Sequence, residues 1–375
     1  MRPVFHLAFA NLVQSKPRLL LSVGGLGLAL TLVLFFGAVF EGASGRLTVY
    51  VDRAGADVWV SQAGVRTMHM SSSALPASVA DEVAAVSGVE QVVPILYSQD
   101  MIQAGGKDYI AYVFGVPPGA AMGGPWRIVE GASEPGRGEA IIDHAIAALA
   151  GVGVGDQVTV LGQVMRVAGL TAETSSLVSS ATFISMEDFA RVRGGGDVIS
   201  FVLVKVKAGE SAAAVSSRVG QNVGGVSVQT RAEFAAQERK IAKDMSADII
   251  SIMNTAGYVT GLAVIVLTVY IATIARRREY GVLKAIGIRN GRLYQVVVLQ
   301  ALISVGLGLA AAVGITLLLS ESIPRLNELM VLTLTAGSVL RVAAISVVLA
   351  GVAAILPARQ LAGLEPVTAM RRGQR

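Results

Sequence analysis

The stretch that decides the fold is Arg276-Arg277-Arg278-Glu279-Tyr280-Gly281-Val282-Leu283-Lys284-Ala285-Ile286-Gly287, a charged segment set between two long apolar runs. Residues 251–275 before it carry no charge, and neither do residues 293–320 after it. A hydrocarbon core of roughly 30 Å takes about 20 helical residues to cross, so each run is long enough to span it. The segment between them is then a short loop at one membrane face. Its mix of basic, acidic and apolar side chains suits a docking surface better than an active site.

Composition agrees. Of 375 residues, 53% are hydrophobic and 15% charged, and the mean hydropathy is +0.62, too apolar for an ordinary soluble protein of this length. The net charge of +5 would by itself fit nucleic acid as a partner, but the basic residues sit beside apolar segments, so no nucleic acid is expected. There are no cysteines and only three histidines, His6, His69 and His144. Disulfides and thiolate metal sites are therefore excluded.

Four segments qualify as membrane helices: residues 19–40, 251–275, 293–320 and 338–356. Arg341 falls near the start of the fourth, where it either snorkels toward the outer headgroups or serves a function within the membrane. Lys16 and Arg18 precede the first helix, the basic loop 276–292 joins the second to the third, and Arg359, Arg371, Arg372 and Arg375 follow the fourth. The positive-inside rule puts all three regions, both termini included, in the cytoplasm. Residues 41–247 and 321–337 then lie outside. A cleaved signal peptide is the competing reading of the first helix, but its apolar run exceeds a signal core, starts far from the N-terminus and lacks an Ala-x-Ala site. Val4, Phe5, Leu7, Ala8, Leu12 and Val13 give residues 1–18 an apolar side suited to an interfacial helix ending at Lys16-Pro17; an unstructured tail is the other reading.

The expected fold class is a membrane protein of four transmembrane helices with a large α+β extracytoplasmic domain inserted between helices 1 and 2. Within residues 41–247, alternating apolar patterns predict strands at 56–60, 91–96, 108–114, 157–160, 166–170, 181–185 and 199–206, with helices at 77–86, 143–150, 186–192 and 211–220. Residues 231–249 space Phe234, Ile241, Met245 and Ile249 at helical intervals and could run straight into the second membrane helix. A matching extension over 41–52 would complete a two-helix stalk, unless both stretches are only connectors. Small residues recur every fourth position at Gly257 and Gly261 and at Gly306, Ala310 and Gly314, a spacing that lets helices pack closely within the chain or across a dimer.

No catalytic motif emerges. Gly105-Gly106-Lys107-Asp108 and Gly194-Gly195-Gly196-Asp197 lack the P-loop pattern, and neither a His-Glu-x-x-His nor a Gly-x-Ser-x-Gly motif occurs. Met68-His69-Met70 could in principle offer two thioethers and an imidazole to haem, a soft metal or a substrate. Adjacent residues of an extended chain point to opposite faces, so no metal site is expected there.

The loop Arg278-Glu279-Tyr280-Gly281-Val282-Leu283-Lys284-Ala285-Ile286-Gly287 resembles the coupling-helix loop of the FtsX/MacB (type VII) family of ABC transporter permeases. Pro357-Ala358-Arg359-Gln360-Leu361-Ala362-Gly363-Leu364-Glu365-Pro366-Val367 is similar to that family's closing motif, and Gly138-Glu139-Ala140-Ile141-Ile142 and Val154-Gly155-Asp156-Gln157-Val158 are similar to its outer-domain strands. Residues 55–76 look like the DevC or haem-exporter branch. The resemblance implies a dimeric permease in the bacterial inner membrane that pairs with a second copy or close homologue. It also implies a separate ABC ATPase subunit, which would bind the ATP and Mg this chain does not bind, and in some branches a periplasmic adaptor and outer-membrane channel. Glu279 and Lys284 would make polar contacts to the ATPase, Val282, Leu283 and Ile286 would fill its groove, Gly281 and Gly287 would allow close approach and end the helix, and Tyr280 and Ala285 complete the ATPase-coupling set. The competing reading of Arg276, Arg277 and Arg278 is topogenic only, with contacts to anionic membrane lipid. Three functions remain open: export or extraction of a lipid, hydrophobic compound or haem by mechanotransmission, regulation of a cell-wall hydrolase, and lipoprotein release.

Overall fold

A computed structural model describes residues 16–69, 71–175, 180–195, 197–275, 279, 282, 284–286, 288, 290–326 and 330–362. By its contacts the chain divides into a membrane bundle, residues 1–42, 246–326 and 331–375, and an outer domain, residues 43–245 with 327–330.

Four helices of the bundle carry apolar spans: α1 (Lys16–Leu47), α7 (Arg231–Ala275), α8 (Asn290–Leu326) and α9 (Ala336–Ala362). Leu26, Leu30, Val33 and Leu34 of α1 pack with Ile265 and Val269 of α7, Val297, Ala301 and Val305 of α8, and Val342, Ala350 and Ala353 of α9. Other apolar side chains, among them Leu28, Leu32, Leu318, Leu340 and Val348, are exposed, as they must be where lipid is the solvent. The hydroxyls of Thr31, Thr273 and Thr316 donate to carbonyls four residues back, which satisfies them without water.

One of the expected helix extensions needs correction here. Lys16 is the first described residue of α1, and Pro17 lies within that helix. As the spacing predicts, residues 231–249 run unbroken into 251–275 as one helix, and α9 continues past the fourth apolar span to Ala362. The extension over 41–52 is broken: α1 ends at Leu47, Thr48 turns its hydroxyl to Gly45 O and Asp52 Oδ2, and a separate helix α2 (Val49–Arg53) follows. The expected interfacial helix and the last residues of the closing motif, 363–367, lie outside the described residues.

The outer domain is built on one mixed sheet. In chain order its elements are β1 (Val58–Gln62), β2 (Leu75–Pro76), α3 (Ser78–Ala84), β3 (Val89–Ala104), β4 (Lys107–Val116), β5 (Ile128–Gly131), β6 (Glu139–Asp143), α4 (His144–Ala150), β7 (Gln157–Val160), β8 (Gln163–Thr171), β9 (Ser180–Ser185), α5 (Met186–Val192), β10 (Val198–Ile199), β11 (Phe201–Val206), α6 (Ala212–Asn222) and β12 (Val226–Thr230). The strand order is β12-β1-β11-β3-β4-β9-β6-β8-β5, with β7 bridging β3 and β8, while β2 and β10 form a separate pair.

The long strand β3 organises this sheet. Its first half pairs antiparallel with β11, up to Phe201↔Ile95, and its second half with β4, from Leu96↔Gly115 to Ala104↔Lys107. The turn between β3 and β4 is Gly105-Gly106, both at positive φ, as a two-residue hairpin requires. Two half-sheets thus share one backbone.

Strand alternation sorts the side chains into separate cores. In β1 and β11, Val58, Val60, Val202, Val204 and Val206 face one side, where α3 and α6 supply Val79, Val83, Val215 and Val219. Trp59, Phe201 and Leu203 face the other. Both faces are covered, which is why these strands read as continuous apolar runs. The second half-sheet packs Ile102, Val113, Ile142, Val158 and Val167 against Ile146 of α4 and Phe189 of α5. Asp143 caps α4 and Ser185 caps α5 by accepting from backbone N–H groups in the first turn.

Candidate coupling segment and outer-domain cleft

In the bundle, Glu279, Val282, Lys284 and Ala285 are helical between the end of α7 and the start of α8. Ile286 closes this helix in a turn, its N–H donating to Val282 O at 3.1 Å. Val282 is 42% and Ile286 71% exposed. Residues four apart lie on one helix face, so the two form a small apolar surface open to a partner. Ile288, just beyond, packs instead onto the bundle core and ties the segment down. Tyr280, Gly281, Leu283, Gly287 and the arginines Arg276, Arg277 and Arg278 lie outside the described residues.

The small-residue rows separate on inspection. A Cβ on Gly257 would lie 2.3 Å from Val33 Cγ2, and one on Gly261 would touch Leu26 and Ala29, so both glycines admit α1. Gly306 and Gly314 have no atom within 4 Å of where a Cβ would stand, and Ala310 is exposed. The row that sequence spacing picked on α8 therefore faces away from the bundle; the close approach to Leu26 is made by Gly308, at 3.0 Å.

In the outer domain, the residues with unusual surroundings gather where α2, the start of α7 and the β1–β2 loop meet the sheet. Tyr50 of α2 stacks on Phe114, ring centroids 3.6 Å apart, and donates its hydroxyl to Gly123 O at 2.9 Å. Phe234 of α7 stacks on Trp59 at 4.9 Å. Tyr97, Phe183 and Phe201 complete this aromatic core. Burial raises the pKa of Tyr50 and of Tyr97, the latter helped by Tyr112 and Glu238, so both phenols stay neutral donors.

Four residues beyond Phe234 on α7, the carboxylate of Glu238 is buried. It accepts from the Met68 N–H, and His69 Nδ1 lies 2.5 Å from its Oε2. Met68 is 3% exposed within the aromatic core, Met70 lies outside the described residues, and among the described residues no cluster of three His, Cys, Asp or Glu could hold a metal. Sequence reasoning missed Glu238 and Tyr112, whose ring packs edge-on against His69, as partners of this loop.

Above Met68 and His69 opens a cleft of about 290 Å³ lined by Ser71, Ser72, Ser73, Tyr97, Ser98, Gln99 and Arg193. It sits at the middle of β3, where the strand passes from one half-sheet to the other. Arg193, which follows α5, donates from Nη2 to Tyr97 O at 3.0 Å and lies over the Phe189 ring.

Four apolar helices with an α/β domain inserted between the first and second, and a short helix between the second and third, define a membrane protein of the permease class. Residues 19–222 match the family described as MacB-like periplasmic core domain, and residues 251–366 match FtsX-like permease C-terminal. The chain belongs to the FtsX/MacB-like family of ABC transporter permeases, a permease family that works with an ATPase partner and not an enzyme family. It is similar to an uncharacterized ABC transporter permease of Mycobacterium bovis and to two of Mycobacterium tuberculosis, each 22% identical over 365 residues that cover 96% of this chain and 98% of the relative. Among solved structures it is similar to the periplasmic region of MacB from Actinobacillus actinomycetemcomitans, at 14% identity and TM-score 0.39 over 51% of this chain and 97% of that one. The extracellular domain of the ABC-type transporter YknZ from Gram-positive bacteria aligns at 14% identity and TM-score 0.37, over 46% and 99%.

Proposed function

We propose that this chain is a mechanotransmitting permease of the bacterial inner membrane, which turns ATP and Mg binding by a separate ATPase into movement of its outer domain. Its termini and the segment 276–292 lie in the cytoplasm, the side that Lys16, Arg18 and Arg292 favour. Two copies, or this chain with a close homologue, would bring two coupling segments to a pair of ATPase subunits. Closure of that pair on ATP would displace the segment 279–286, and with it α7. The cargo is a lipid or other hydrophobic compound taken up on the outer side of the membrane.

One observation carries this reading: α7 is a single helix, Arg231–Ala275. Its first turns hold Phe234 and Glu238 in the outer-domain core, and its last residue precedes the coupling segment. A helix without a break passes displacement along its axis, where a flexible connector would absorb it. The apolar pair Val282 and Ile286 supplies the seat, a helix face of the kind that docks in a partner groove. Replacing both by Asp should abolish co-purification of the ATPase from native membranes while the outer domain unfolds as before. Undiminished recovery of the ATPase would refute the seat.

A further inference from the structure

The cleft at the middle of β3 has a composition that the mechanical reading leaves unused. Donors dominate its wall: the Arg193 guanidinium, the hydroxyls of Ser71, Ser72, Ser73 and Ser98, and the Gln99 amide. Among the described residues, no carboxylate lines it. Glu238, behind His69, is already occupied by His69 and the Met68 N–H. Arg193 spends one N–H on the Tyr97 carbonyl and, among the described residues, pairs with no acid, although exposed arginines elsewhere in the domain find Glu173, Glu187 and Glu139. The hydroxyl of Tyr97 is a second unspent donor. Tyr97 is 6% exposed, lines the cleft, and its buried Oη makes no hydrogen bond among the described residues. A buried hydroxyl normally finds a partner, so an orphan one beside a polar cleft marks a group still to be supplied.

We infer that this cleft binds an oxyanion, a phosphate or carboxylate group on a small molecule or a lipid headgroup, with Arg193 as its cationic anchor and the Ser71-Ser72-Ser73 run as its hydroxyl cradle. An oxyanion is acceptor-only and matches a wall of donors, and a guanidinium offers it two parallel N–H groups. At about 290 Å³ the cleft lies at the small end of ligand sites. Its size and the polar groups in its lining suit a headgroup. The binding site stands on its own lining and holds whether or not the outer domain moves as proposed above.

The test is calorimetric titration of the full-length chain in detergent with three probes: inorganic phosphate, glycerol 3-phosphate and dihexanoyl phosphatidic acid. Arg193→Gln should weaken binding about tenfold, the loss of one charge-assisted hydrogen bond. Ser72→Ala should weaken it a few-fold, and Lys107→Gln, at an exposed position on the β3–β4 hairpin, should leave it unchanged. Tryptophan-monitored unfolding checks that each variant is folded, and Ser72→Ala carries the test should Arg193→Gln fail to fold. Equal affinity for all three probes identifies a free anion as the ligand, and tighter binding of the two esters identifies a headgroup. Either supports the site. Absence of binding for all three, or binding that folded Arg193→Gln and Ser72→Ala leave untouched, overturns it.

Discussion

His69 Nδ1 stands 2.5 Å from Glu238 Oε2, joining the β1–β2 loop to the start of α7 across 169 residues of sequence. The carboxylate is 1% exposed and the imidazole 13%, so neither can turn to water if its partner is removed. His69→Ala should therefore cost about 3 kcal/mol, the penalty for stranding a buried charge, and His69→Gln, which can still donate, distinctly less. Removing both partners should cost less than the sum of the single changes. Both tryptophans of the chain, Trp59 and Trp126, belong to the outer domain, so their fluorescence during urea unfolding of the full chain isolates this effect. A His69→Ala midpoint equal to wild type would show the contact to be idle.

The aromatic core gives a second test. Phe234 is fully buried and stacked on Trp59, and Phe234→Ala should lower outer-domain stability by about 3–5 kcal/mol. Met101 and Ile110 oppose each other on β3 and β4 but are exposed; changing either to Ala should move stability by no more than about 0.5 kcal/mol. The same fluorescence measurement checks both.

Packing in the membrane is testable by contrast. A side chain on Gly257 must displace Val33, whereas one on Gly314 meets nothing within 4 Å. The chain has no cysteine, so Ala301→Cys, at a fully buried position, becomes a single reporter thiol. Gly257→Ile should speed its labelling by a maleimide about tenfold or more, and Gly314→Ile should not. Equal rates would mean that α1 and α7 do not pack as described.

Acid sensitivity should pass through Asp188. Burial pushes its carboxyl up, but the Ser185 hydroxyl, the Gly138 N–H, Arg191 and Arg137 outweigh that and hold its pKa below the ordinary value of 3.8. A carboxyl depressed in the folded state stabilises the fold above its unfolded pKa, and that contribution is lost as pH falls through the folded value. Between about pH 5 and pH 3 the wild-type outer domain should lose more stability than Asp188→Asn, whose acid limb should be flatter. Parallel acid limbs for the two proteins would remove Asp188 from the account.

Much of this was open to inspection in the sequence. Four apolar runs long enough to cross a bilayer declare themselves, and Val58-Trp59-Val60 and Phe201-Val202-Leu203-Val204 are too apolar to lie anywhere but inside a sheet. What stayed hidden depends on long-range pairing. β5 is largely exposed and β12 only half-buried, so neither carries a strong apolar signal. The full reach of β3 to Ala104 is set by its partner β4, since Gln99, Asp100 and Gln103 are polar and exposed. Spacing found small residues on α8 but not the face they occupy, because Gly306 and Gly308 satisfy different periodic rows and only contact with Leu26 decides between them. No local pattern could join His69 to Glu238, or gather Ser72 and Arg193 around one cleft.

On this mechanism α7 carries motion from the coupling segment to the outer domain. The most direct measurement is the distance between spin labels at Gln103→Cys in the two copies of a complex captured with its ATPase, read by pulsed electron resonance with and without ATP, Mg and vanadate. A nucleotide-dependent shift of several ångströms is expected. Inserting four glycines after Lys243 of α7 should abolish that shift and leave the ATPase bound. The same shift persisting through the broken helix would contradict it.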